Sequence, residues 1–238
     1  MNPIYQRVVI KLSGEALSGP EGFGIDPTAA HFIAETIKSI HDSGVQVTLV
    51  IGAGNIWRGS IGVEHGMEPA TADYMGMIAT VMNALAVQDS LERCGVETRV
   101  QTAVEMNKVA EPYIRLRAIR HMEKGRVVII AGGIGNPFFT TDTAGVLRAV
   151  ELNADAIIKA TKVDGVYDKD PKVYDNAVKF KTLTFQEALE RQIRVMDLTA
   201  IALCMEHNLP LVVLNFWKHG ELAAAIRGET VGTLIGSA

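Results

Sequence analysis

Cysteine is nearly absent: 238 residues carry only Cys94 and Cys204, far apart, with no CxxC string and no histidine at ligand spacing. That excludes a disulfide scaffold or a zinc site, and both thiols are expected as small buried hydrophobes inside helices. Long apolar runs are also missing, and none approaches the roughly 18 residues that cross a bilayer. The stretch Met1–Arg7 has no apolar signal-peptide core, so a soluble, cytoplasmic protein without a membrane partner is expected. Basic charge is in deficit, with 23 Lys+Arg against 27 Asp+Glu and a net charge of −4. A general nucleic-acid surface would need the opposite balance. The one basic stretch, Arg115, Arg117, Arg120, Lys124 and Arg126, falls on a predicted helix and its exit and reads as a solvated face. No repeat and no low-complexity linker interrupts the chain, so residues 1–238 are expected to form a single domain.

What is present is alternation. Strand-like apolar runs occur at Val8–Leu12, Val45–Ile51, Thr98–Gln101, Val127–Ala131, Ala156–Lys159 and Leu211–Leu214, with a last one near Gly232–Ile235. Helical patterns fill the gaps. In the first, Asp26 suits the N-cap and Pro27 the first turn, while Ala30, Ile33, Ala34, Ile37 and Ile40 form one stripe that Gly44 ends. Strands separated by helices imply an α/β fold with a mainly parallel sheet covered on both faces. Ligands then gather at the carboxyl ends of the strands. A long helix from about Thr71 to Arg93 carries two apolar stripes. Met75, Ile78, Met82 and Leu85 make one; Met77, Val81, Ala84 and Leu91 make much of the other. Such a helix is expected to be buried on two sides, by its own fold or by another subunit.

Four strands run directly into glycine-bearing loops: Lys11-Leu12-Ser13-Gly14, Gly52-Ala53-Gly54-Asn55, Gly132-Gly133-Ile134-Gly135-Asn136-Pro137 and Thr161-Lys162-Val163-Asp164-Gly165. In a parallel sheet these share one edge. Glycine lets backbone N–H groups approach an oxyanion, and loops backed by helix N-termini make a phosphate-binding edge. The phosphate chemistry is not of the P-loop kind, since no G-x-x-x-x-G-K-[ST] string exists. A dinucleotide fingerprint fails at Trp57, where its third glycine belongs, and Arg58 to Pro69 reads as loop. The H-R-D and D-F-G strings of protein kinases are missing as well.

The segments Lys11-Leu12-Ser13-Gly14-Glu15, Gly54-Asn55-x-x-Arg58, Asp73-x-x-Gly76-Met77, Gly135-Asn136-Pro137-Phe138-Phe139-Thr140-Thr141-Asp142, Lys159-Ala160-Thr161-Lys162-Val163-Asp164-Gly165-Val166-Tyr167 and Val195-Met196-Asp197-Leu198 resemble the bacterial uridylate kinases of the amino acid kinase superfamily. They run in order over nearly the whole chain, and the block from Gly135 to Asp142 is specific to that group. Ala53 stands where glycine is frequent, Trp57 where phenylalanine is, and Ile134 where threonine is. Ala53 keeps its N–H, but Ile134 offers no side-chain donor.

The resemblance implies a three-layer α/β/α sandwich around the parallel sheet. The implied activity is transfer of the γ-phosphoryl of ATP to UMP, with the acceptor side mainly in the first half and the ATP side mainly in 155–238. Lys11 is assigned to the β/γ-phosphates, with Leu12, Ser13 and Gly14 beside it, and Gly54, Arg58, Thr161, Tyr167 and Asp170 complete the implied ATP contacts. Arg58 also suits the UMP phosphate, because its planar fork binds two oxygens at once. The implied UMP contacts add Ala53, a ribose contact from Asp73, and the run Ile134, Gly135, Asn136, Pro137, Phe138, Phe139, Thr140 and Thr141. Thr140 or Thr141 is expected to cap the following helix, and the two phenylalanines either face uracil or fill the core. Lys162 is the second expected catalytic cation, Asp197 an orienter of the two lysines, and Asp142 a partner of magnesium-bound water. Mg²⁺ is expected to arrive on ATP, with no protein metal site. The loop Gly19, Pro20, Glu21, Gly22, Phe23 and Gly24 is implied in activation by GTP. GTP and UTP are the implied effectors and a homo-hexamer the implied assembly. Two alternatives stand beside this reading: a relative that phosphorylates a carboxylate or carbamate, and a nucleotide sensor that binds without turnover.

Overall fold

Interior parallel strands are covered on both faces, which selects near-continuous apolar sequence, and Val8, Val9, Ile10 and Leu12 are accordingly all fully buried. The computed structural model describes residues 3–171, 173–193 and 195–237. Among them, β1 (Arg7–Leu12), β2 (Gln46–Ile51), β3 (Thr98–Thr102), β4 (Glu111–Pro112), β5 (Val127–Ala131), β6 (Ala156–Thr161), β7 (Thr182–Thr184), β8 (Leu211–Asn215) and β9 (Thr233–Gly236) form one sheet in the order β4-β3-β5-β2-β1-β6-β8-β9-β7. Every ladder is parallel except β8–β9. The four glycine loops leave β1, β2, β5 and β6, which are adjacent and parallel, so their carboxyl ends do share one edge.

The helices are α1 (Pro27–His41), α2 (Gly59–Glu64), α3 (Pro69–Arg93), α4 (Arg115–Glu123), α5 (Thr141–Glu151), α6 (Phe185–Glu190), α7 (Leu198–Glu206) and α8 (Glu221–Ile226). Strand periodicity divides them into two layers. Val8, Ile10, Leu12, Ile158 and Ala160 pack with α1, α3 and α8. The alternate positions Val9 and Ile157 pack with α4, α5 and α7. Each fully buried aliphatic side chain contributes about 1.5–3 kcal/mol, so the sandwich is held from both faces. α1 follows its sequence signals: the Asp26 carboxylate accepts from the amides of Thr28 and Ala29, and Gly44 takes φ +88°.

Three expectations change. Arg58 to Pro69 is not all loop, because Gly59–Glu64 is helical. Its weak propensity is overridden by packing, since Gly62 lies so close to the Trp57 ring that a Cβ there would stand 2.8 Å from it. The edge strands β4 and β7 were not foreseen; at two and three residues they carry too little pattern. Cys94 is not buried inside a helix but half-buried at the C-cap of α3, with its Sγ 3.8 Å from His31 Nδ1. Cys204 is fully buried, and burial pushes its thiol up to about 12. Of the two ways left open for burying α3, its own fold supplies one side only: Met77, Val81, Ala84 and Leu91 are buried, whereas Met75, Ile78 and Met82 are 38%, 47% and 51% exposed.

Candidate active site

Parity along β1 and β6 places the central charges. Lys11 has the same parity as Val9, and Lys159 the same as Ile157, so both lysines point to the α5 and α7 face; they are direct partners in the β1–β6 register. Asp142, in the first turn of α5, lies between them: Lys11 Nζ is 2.7 Å from Oδ1 and Lys159 Nζ 2.8 Å from Oδ2. The three side chains are only 12%, 14% and 19% exposed in the order Lys11, Asp142, Lys159. Burial pushes the Asp142 carboxyl up, but the two ammonium groups outweigh it and hold the carboxyl below its ordinary range. Burial pulls the Lys159 ammonium down despite Asp142, and Lys11 adds to that. Lys159 also donates to the Val195 carbonyl at 2.5 Å.

This differs from the expected roles in three ways. Lys162 is exposed, and the described contact of its residue is its carbonyl, which accepts from Asn215. Among the described residues Asp197 makes no ion pair with either lysine: it accepts from the hydroxyls of Thr140 and Thr143 and caps α7 through the Ala200 amide, and its charge acts on Lys159 from a distance. Asp142, rather than Asp197, is the carboxylate paired with the two lysines, one ammonium on each oxygen. The signal for Lys159 lay in the sequence: Ile10-Lys11 and Ile158-Lys159 put a lysine at matching places in two apolar strands.

On one side of these charges lies a cleft of about 290 Å³. Its walls bring together Ala53, Gly54, Arg58, Asp73, Phe139, Thr140 and Thr141 from the expected set, joined by Trp57, Met77, Thr80 and Gly133. The N-terminus of α5 opens into it. Thr140 is the N-cap and accepts from the amides of Asp142 and Thr143, so the cleft faces the positive end of a helix dipole. Arg58 stands at the rim, with Nη2 2.6 Å from Glu15 Oε1 and Nε donating to the Gly54 carbonyl. Both partners are about half exposed, and such a surface pair is worth only about 0–1 kcal/mol.

Ile134, Gly135, Asn136, Pro137 and Phe138 are not among the cleft walls. Ile134 packs against the core of the α5 face. Phe138 is 72% exposed in a left-handed conformation, φ +74°, and its amide donates to Asp73 at 2.7 Å. Phe139 is 49% exposed, so neither ring is core filler. Asp73 thus ties α3 to the third loop. Gly14 seats the first loop on the second, because a Cβ there would meet Asn55 Oδ1 at 2.5 Å and Gly54 N at 2.6 Å. Ser13 accepts from the Glu15 amide, and Leu12 is fully buried.

On the other side are two adjoining depressions. One, of about 630 Å³, is lined by Lys159, Thr161, Gly165, Tyr167, Asp170 and Val195 among others. The second, of about 860 Å³, carries Asp142, Lys159 and Asp197 at one end and apolar walls from Leu189 to Ile201. The Tyr167 hydroxyl donates to Asp164, and Thr161 both donates to the Val163 carbonyl and accepts from its amide. Lys159 borders both depressions. No group of three or more His, Cys, Asp or Glu able to hold a metal is found among the described residues. The loop of residues 19–24 is joined to the second glycine loop: the Gly24 amide donates to the Asn55 carbonyl, and the Asn55 side chain donates to the Gly24 carbonyl. Phe23 there is 71% exposed.

The sequence model of the amino acid kinase family matches residues 6–215. A UMP kinase from Bacillus anthracis is 43% identical, covers 98% of this chain and 96% of its own, and superposes with a TM-score of 0.95. A UMP kinase from Ureaplasma parvum is 38% identical over 98% of this chain and 99% of its own, with a TM-score of 0.92. A uridylate kinase from Archaeoglobus fulgidus is 28% identical over 96% of this chain and 99% of its own, with a TM-score of 0.73.

Proposed function

The chain belongs to the amino acid kinase family, and on that premise we propose that it is a UMP kinase, converting ATP and UMP to ADP and UDP. The observation that carries this is a buried Lys11–Asp142–Lys159 cluster with a cleft beside it that ends at Thr140 and Thr141, next in the chain to Asp142, and a depression bordered by Lys159. UMP occupies the cleft of about 290 Å³, its phosphate at the start of α5 and on Arg58. ATP lies across the depression bearing Thr161, Tyr167 and Asp170, its phosphates reaching Lys11 and the amides of Ser13 and Gly14.

Phosphoryl transfer passes through a loose transition state whose charge spreads over the equatorial oxygens. Fixed cations and amides there stabilise it without reorganising. Lys11 and Lys159 supply the cations, and Asp142 holds them apart and aimed. The attacking atom is an ionised phosphate oxygen of UMP, so no general base is required. Mg²⁺ would arrive on ATP and keep several waters, as this ion commonly does when bound with nucleotide phosphates. When bound there it neutralises charge on the β- and γ-phosphates.

Three finer readings accompany this. Residues 19–24 are the effector loop for GTP or UTP, supported by their direct bonds to Asn55 of the second glycine loop. The exposed Met75, Ile78 and Met82 stripe of α3 is covered by a second copy in a homo-hexamer. The protein works in the cytoplasm, in keeping with the lack of any described helix long and apolar enough to cross a membrane. The test of function is ADP release from Mg-ATP with UMP, CMP, AMP, glutamate derivatives or carbamate as acceptor. UMP is expected to be preferred. Preference for an acid or carbamate would move the chain to another branch of its family, and no acceptor-dependent ADP would make it a sensor.

A further inference from the structure

The third glycine loop borders the small cleft at Gly133, and its backbone is gripped from two sides by side chains outside the sequence motifs. Gly132 and Gly133 are both left-handed, at φ +75° and +59°, and a Cβ on Gly132 would stand 2.8 Å from Thr102 Oγ1. The buried amide of Gly132 donates to Thr80 Oγ1 at 2.8 Å, and that hydroxyl donates onward to the Met77 carbonyl at 2.6 Å. On the far side, Arg148 of α5 donates to the Gly133 carbonyl at 3.2 Å. Arg148 is only 4% exposed, pairs with Glu151 at 2.7 Å, and lies 4.1 Å from the centre of the Tyr113 ring, whose hydroxyl donates to the same Glu151 oxygen. A buried ion pair is weak as a source of stability compared with apolar packing. An arginine kept there, aimed at one carbonyl, points to a role in fixing geometry.

We propose that Thr80 and Arg148 form a clamp on the Gly132–Gly133 dipeptide and are positioning residues for the phosphoryl acceptor. The two side chains come from α3 and α5, the helices that also supply Asp73 and the phosphate-facing N-terminus. The clamp therefore fixes the loop relative to both ends of the acceptor. Neither residue touches the donor side. This inference rests on the small cleft being the UMP site.

The experiment measures KM for UMP and for ATP, kcat and Tm in Thr80→Val, Thr80→Ser, Arg148→Met and the double variant Thr80→Val with Arg148→Met. Thr80→Val leaves a buried N–H without an acceptor and is expected to raise the UMP KM about tenfold. The ATP KM is expected to stay within about twofold, and Thr80→Ser to restore the UMP value. Because both residues hold one dipeptide, the double variant is expected to raise the UMP KM by less than the product of the singles. Should Thr80→Val not fold, Thr80→Ala removes the same acceptor and carries the same expectation. Equal rises in both KM values, a lowered Tm with unchanged KM values, or fully multiplicative effects would overturn the clamp. Arg58→Ala separates the two readings: if it leaves the UMP KM unchanged, the cleft assignment falls and the clamp with it. If Arg58→Ala raises the UMP KM while the clamp variants do not, the clamp alone is refuted.

Discussion

Replacing Lys159 by methionine isolates one of the two charges assigned to phosphoryl transfer in the proposed mechanism. Methionine nearly matches the lysine stem in length and suits a side chain that is only 19% exposed. Asp142 keeps Lys11 at 2.7 Å, so the carboxylate is not left without a cation. A unit charge about 4 Å from the transferring group is worth roughly 4 kcal/mol at an effective dielectric constant of about 20. Removing one preorganised donor from developing negative charge typically costs about 2.7–4 kcal/mol. Lys159→Met should therefore lower kcat by about 10²- to 10³-fold, with the UMP KM changed by no more than about threefold. Lys162→Met, on an exposed side chain, should stay within about threefold of the parent in kcat. A coupled assay of ADP release with saturating UMP reads both, with circular dichroism to establish that each variant is folded. The reasoning is refuted if Lys162→Met loses more turnover than Lys159→Met.

The lowered ammonium pKa of Lys159 in the free protein places the alkaline fall in kcat/KM below the ordinary lysine value of 10.5, since the charged form is the active one; a pH–rate profile checks this. The depressed carboxyl of Asp142 contributes stability that is fully present above the unfolded value near 3.8 and is lost as pH falls through the lower folded value. Asp142→Asn should therefore melt at a lower temperature at neutral pH and show a smaller further drop on acidification, read by thermal melts from about pH 5 to 2. Trp57 walls the small cleft with its indole donating to the Ala72 carbonyl at 2.8 Å, whereas Trp217 stacks on Phe32 of α1 and is not among the cleft walls. UMP should alter the intrinsic fluorescence of the parent and not of Trp57→Phe, and an equal response in both would move UMP elsewhere. A charge in the exposed stripe of α3, as in Met82→Glu, should lower the mass seen by sedimentation velocity; an unchanged mass would remove that face from the assembly.

Much of the fold was readable because its determinants are local. The α1 cap at Asp26, its apolar stripe and the Gly44 stop required only neighbours in sequence. The central strands announced themselves as unbroken apolar runs. Edge strands β4 and β7 did not, because two or three residues hold no period and their pairing is set by the strand beside them. α2 is likewise a product of packing, formed where Gly62 accepts the Trp57 ring despite a sequence that favours loop.

The candidate site divides in the same way. The four glycine loops could be placed on one edge from sequence, since parallel connection fixes which strand ends face together. Which side chains meet at that edge could not. Lys159 rather than Lys162 reaches Asp142 because strand register sets Lys159 opposite Lys11, and alternation turns both to the same face. Asp197 is held by the hydroxyls of Thr140 and Thr143, and Glu15 reaches Arg58 across 43 residues. The chain by itself determined elements, layers and the location of phosphate-binding backbone, because propensity and periodicity act over a few residues. Only the tertiary structure decided the charge pairs and the buried grip on the third loop. Those depend on distances between elements remote in sequence, and an electrostatic contact of a few kcal/mol is made or lost within a few ångströms.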